Sequence, residues 1–175
     1  ATVIADLTSG KPLSDQAISR LLGTENVPVL HLVGRNPGAS HEVLERLSQH
    51  SNPEVRTGVA LNEHAPTDLL IRLRSKGRTG LVNHHLAMNP SLPEWGLTDM
   101  YKNGEAPLIS FAMNEKCPVA IMKDIAKSDD EFARGWLASN PGLPEDVANL
   151  LRRDPSPFVR QRLMHNSGRD VRAAE

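Results

Sequence analysis

Aromatic residues make up only 3% of this 175-residue sequence: two Trp, one Tyr and three Phe. An ordinary globular core leans on large rings for buried apolar area. Their scarcity points instead to burial spread over many small aliphatic contacts, as between stacked repeats. The one cysteine, Cys117, excludes an internal disulfide and a thiolate metal cage, and it suits a reducing, cytoplasmic setting. No apolar run reaches the roughly 18 residues of a membrane-crossing helix, and no secretory-signal pattern is present, so a membrane is not an expected partner. A formal net charge of −1 gives the whole chain no general attraction to nucleic acid or lipid headgroups. Catalytic signatures are missing as well: there is no Gly-x-Ser-x-Gly elbow, no glycine-rich phosphate loop and no His-Glu-x-x-His pair. The expectation is a non-catalytic chain without cofactor or metal.

What is present is a period. Asparagine returns at Asn36, Asn62, Asn89, Asn114, Asn140 and Asn166, every 25 to 27 residues, and a proline follows four residues later at Pro66, Pro93, Pro118 and Pro144, with Ser40 in that slot of the first copy. Self-similarity at such a period is the mark of a solenoid. Apolar residues keep phase with it. Seven, eight and eleven residues after the asparagine stand Val43, Leu44 and Leu47, then Leu69, Leu70 and Leu73, then Ile121, Met122 and Ile125, then Val147, Ala148 and Leu151, one face of a helix. The copy after Asn89 is weaker, with Gly96, Leu97 and Met100. Three residues before each asparagine comes Val33, Val59, Leu86, Phe111, Leu137 or Leu163, and two before it mostly alanine.

The punctuation predicts two helices per repeat. Proline at the first helical position and acidic residues behind it open a longer helix. Asparagine in the left-handed conformation closes a shorter one, and Pro37, Pro90 and Pro141 forbid its continuation. Carried back by one period, the phase lands on Gly10, so residues 11–22 read as the longer helix of an incomplete first repeat, 27–168 as the repeats and 169–175 as a tail, all within a single domain over 1–175.

The run from Asn140-Pro141-Gly142-Leu143-Pro144 to Leu151 resembles the leucine-rich repeat variant family, and Asn52-Pro53-Glu54-Val55-Arg56 and Asp154-Pro155-Ser156-Pro157-Phe158-Val159-Arg160 are similar to HEAT-type repeats. The likeness covers about residues 27–168. It implies an all-α, right-handed superhelix of about six repeats in which the shorter helix is 3₁₀ in places. One branch of the variant family carries an iron–sulfur cluster on a group of cysteines, which the single Cys117 cannot supply.

Several residues stand out as candidates. The six asparagines are expected at structural corners between repeats. Arg56, Arg134 and Arg160, each six residues before its asparagine, would either line a groove for acidic partners or form a polar ladder between repeats. His84 and His85 point about 100° apart on a helix, so the pair with nearby His64 is a poor chelate and reads better as part of an exposed binding row. Trp95 and Trp136 occupy slots that are polar or small in most copies, either as interface anchors or as plugs beside Gly96 and Gly135. Two basic groups, Arg72, Arg74, Lys76 and Arg78, and Arg152, Arg153, Arg160, Arg162, Arg169 and Arg172, suit phosphates or a solvated cap. Asp129-Asp130-Glu131 is read as a helix cap, and Cys117 as an ordinary thiol. The functional expectation is a scaffold binding another protein; the alternative is a HEAT-like nucleic-acid binder resembling DNA glycosylases.

Overall fold

A computed structural model describes residues 11–76 and 80–166, apart from the side chains of 75 and 76. Gly10, Arg78, Arg169, Arg172, the 169–175 tail and the side chain of Lys76 lie outside the described residues. Twelve α-helices and no strand are found among them: α1 Asp15–Leu22, α2 Val27–Arg35, α3 His41–Ser48, α4 Pro53–Ala60, α5 Thr67–Lys76, α6 Gly80–Met88, α7 Glu94–Lys102, α8 Leu108–Met113, α9 Val119–Ala126, α10 Glu131–Ala138, α11 Glu145–Leu151 and α12 Pro157–Met164. The chain divides into two compact units, 1–93 and 94–175.

Three sequence expectations are corrected. The helices before and after each asparagine are of nearly equal length, six to nine against seven to ten residues, and all of the described ones are α rather than 3₁₀. Pro118 and Pro144 are N-caps, not first helical residues. Their carbonyls accept the first helical bonds, from Met122 and Ala148. Asn36 and Asn114 end their helices with φ of −69° and −80° and extended ψ, and among the described residues no non-glycine residue has positive φ. The incomplete first repeat holds a helix from Asp15, with Ser14 capping it through Ala17 and Ile18 buried.

In the first unit α4 lies against α2 and α6; in the second, α10 lies against α8 and α12. The apolar residue three before each asparagine is buried in every copy, and so are Ala60, Ala87, Ala112 and Ala138. Small side chains let these helices approach closely. The approach is tightest at Gly58, where an added Cβ would stand 2.2 Å from the carbonyl oxygen of His31 on α2. Gly58→Ala therefore opposes two effects. Helix propensity favours alanine by about 1 kcal/mol, whereas forcing two backbones apart costs about 1–3 kcal/mol. At so short a distance sterics wins, and urea unfolding is expected to show a net loss of about 1–2 kcal/mol. Gly80→Ala, with open space at its Cβ, is expected to be neutral or to gain up to about 1 kcal/mol.

The asparagine side chains join consecutive copies within each unit. Asn62 Nδ2 donates to the carbonyls of Gly34 (2.9 Å) and Asn36 (3.0 Å), and Asn89 Nδ2 to Ala60 (2.7 Å) and Asn62 (3.0 Å). In the second unit Asn140 Nδ2 donates to Ala112 (2.7 Å) and Asn114 (2.9 Å), and Asn166 Nδ2 to Ala138 (2.9 Å) and Asn140 (3.0 Å). Each acceptor pair is the asparagine of the preceding copy and the residue two before it, carbonyls near a helix end whose acceptor capacity the helix itself does not fill. The other end of the amide works locally: Oδ1 of Asn36, Asn62, Asn89, Asn114 and Asn140 accepts the backbone N–H two residues on, an Asx turn. Three residues after four of these asparagines a buried side chain plugs the corner: Ala65, Leu92, Cys117 and Leu143. Each returns its N–H to the asparagine's carbonyl.

Candidate functional site

The three periodic arginines are tied to the turn that precedes their own helix. Arg56 donates to the carbonyls of His50 (2.6 Å) and Ser51 (2.8 Å), Arg134 to Ser128 (2.7 Å), and Arg160 to Asp154 (2.5 Å) and Pro155 (3.0 Å). Arg134 is buried and also grips Asp154 with two nitrogens, at 2.7 and 3.3 Å. That hydrogen bond and the charge behind it raise its pKa further, against the opposing effect of burial. Asp130 caps α10 through the N–H of Ala133, and Glu131 accepts from the Ser156 hydroxyl.

His84 and His85 are half-buried, with rings edge to face at 4.9 Å. Burial first and the neighbouring His85 second lower the pKa of His84. His64 is exposed, and its backbone N–H serves the Asn62 turn. No cluster of three metal-ligating side chains occurs among the described residues, and none of the described helices is long and apolar enough to cross a membrane. Cys117 is buried in its plug slot, which pushes its thiol up to about 12 and keeps it in the unreactive neutral form. The basic groups are partly neutralised: Arg72 pairs with Glu45 and Asp68, and Arg152 with Glu145.

The tryptophans differ in setting. Trp95 is 59% exposed on α7, lining an open groove with Glu94, Thr98, Asp99 and Lys102. Trp136 is half-buried on α10, and the residue covering Gly135 is Phe158 from α12: a Cβ on Gly135 would stand 2.3 Å from the Phe158 ring. Phe158 meets Phe132 at 6.1 Å, edge to face. The Arg162 guanidinium lies over both Trp136 and Phe158, at 4.4 and 5.2 Å, worth about 0.5–2 kcal/mol in all. Half of the chain's six aromatics thus gather on two adjacent helices, with Phe132 67% exposed.

Sequence reading singled out Trp136, and Arg162 as one of a basic group, but not Phe132 or Phe158 as their companions. The signal was there: Phe132 and Phe158, and Trp136 and Arg162, are each 26 residues apart, equivalent positions one period on. Beside them runs a groove of about 400 Å³ lined by Ser139, Pro141, Phe158, Gln161, Arg162, His165 and Asn166.

Comparison with protein-family models, curated proteins and solved structures returns no match for this chain.

Proposed function

We propose that the protein is a non-catalytic scaffold, a right-handed α-solenoid of about six two-helix repeats, that binds another protein through the aromatic surface of α10 and α12. The observation that carries this reading is the partly exposed cluster of Phe132, Trp136 and Phe158 in a chain so poor in aromatics. Large rings with an apolar body and some exposure are the side chains on which protein interfaces concentrate their energy. The nucleic-acid reading draws less support, because Arg56, Arg134 and Arg160 are engaged by turn carbonyls and Asp154.

The test is affinity capture with the immobilised chain and with Phe132→Ser, whose exposed site leaves thermal unfolding nearly unchanged. The expected result is a defined protein that survives nuclease treatment, binds the wild-type chain and is lost from the variant. Retention on a DNA column at physiological ionic strength, falling steeply with salt, would support the nucleic-acid alternative instead.

A further inference from the structure

The groove beside the aromatic cluster has a definite charge. Among the described residues Arg162 has no carboxylate within ion-pair distance and none of the groove's lining side chains is acidic. Among the described residues Arg162 makes one side-chain hydrogen bond, from Nη1 to Ser139 Oγ at 3.3 Å. Two rings and a hydroxyl therefore hold the guanidinium in place, and most of its five donors meet no acceptor among the described residues. A guanidinium so braced loses little freedom on binding, and its planar fork matches a carboxylate in two places.

Resting on the scaffold reading above, we infer that this groove docks an acidic peptide segment of the partner, with one carboxylate on Arg162 and a neighbouring apolar side chain against Phe158 and Pro141. A groove of about 400 Å³ accommodates side chains of that size. A single-stranded nucleic acid fits less well. Base stacking needs an open ring face, and Arg162 already covers that of Trp136; backbone binding needs a track of cations, and among the described residues the lining supplies Arg162 and His165.

The experiment is a titration of the full chain, in a Trp95→Phe background so that Trp136 is the sole tryptophan fluorophore. The probes are a short peptide alternating glutamate and leucine, a lysine–leucine counterpart, and a single-stranded oligonucleotide. The expected result is a saturable change in Trp136 emission with the glutamate peptide alone, weakened by added salt and at least tenfold by Arg162→Gln. Gln161→Glu, at an exposed position on the groove, should weaken it similarly by placing on the groove a negative charge that repels the peptide's carboxylates, so the inference stays testable if Arg162→Gln disturbs the fold. Equal binding of both peptides, binding of neither, preference for the oligonucleotide, or full affinity in both variants overturns it. A positive titration with no protein captured would retain the groove's chemistry and remove the scaffold reading; the reverse would retain the scaffold and remove the acidic segment.

Discussion

Asn140→Asp is expected to lower the stability of the second unit by about 3–5 kcal/mol at neutral pH, the range for an uncompensated buried charge. The change swaps an NH₂ for an oxygen and adds a charge. In the native chain Asn140 is 2% exposed and donates to Ala112 and Asn114, while its Oδ1 accepts from Gly142 at 2.7 Å. The aspartate keeps the last bond but directs a negative oxygen at two carbonyl oxygens, leaving that of Ala112 without its side-chain donor and that of Asn114 with the N–H of Cys117 alone. Asn140→Ala removes those two bonds and the one from Gly142 but adds no charge, and should cost less, about 2–4 kcal/mol for the unsatisfied groups left behind. The pH dependence separates the two. Burial and facing acceptors favour the protonated aspartic acid in the folded state, so its folded pKa is raised above the unfolded value of about 3.9. The charge penalty is then absent below that unfolded value, grows as pH rises through it, and is complete above the folded pKa. Urea titrations at pH 3.5 and pH 7 read this directly: the aspartate variant should recover part of its deficit in acid relative to wild type, and the alanine variant should not.

Arg134→Ala is expected to cost a further 3–5 kcal/mol or so, by the mechanism that applies when one partner of a buried ion pair is removed. Arg134 and Asp154 side chains are 10% and 3% exposed, so truncation strands a carboxylate and also frees the Ser128 carbonyl. Asp154 retains only the N–H of Ser156. Arg56→Ala and Arg160→Ala provide the internal comparison. Their side chains are half-buried and bond only turn carbonyls, so about 1–2 kcal/mol is expected for each. Equal losses at all three positions in chemical denaturation would show that the Asp154 pair contributes nothing particular.

The period, its phase and the apolar faces were legible in the sequence because, within each unit, consecutive copies meet through the same positions, and a shared position demands a shared residue type. The asparagine corners were legible for the same reason, but their mechanism was not. Asparagine after a helix suggests a left-handed residue; Asn36 and Asn114 are extended instead, and the side chains of Asn62, Asn89 and Asn140 work as donors to the preceding copy and acceptors from the following turn. Helix lengths were misjudged because the N-terminal residue depends on where a proline's carbonyl points, which composition does not reveal at Pro118 or Pro144. The plug slot of Ala65, Leu92, Cys117 and Leu143 was missed, since chemically different side chains fill it and only their shared burial identifies it. The aromatic cluster escaped notice because Phe132 and Phe158 look unremarkable alone; Gly135, by lacking a side chain, makes room for their meeting.

The account depends on asparagine amides that bond the backbone of the preceding copy inside a water-excluded corner. Hydrogen exchange of the side-chain NH₂ groups of Asn62, Asn89 and Asn140, followed by NMR after transfer to D₂O, tests this most directly. Protection approaching that of the buried backbone amides of Val59, Leu86 and Leu137 is predicted. Exchange of those NH₂ protons as fast as in an exposed asparagine, while the backbone amides stay protected, would contradict it.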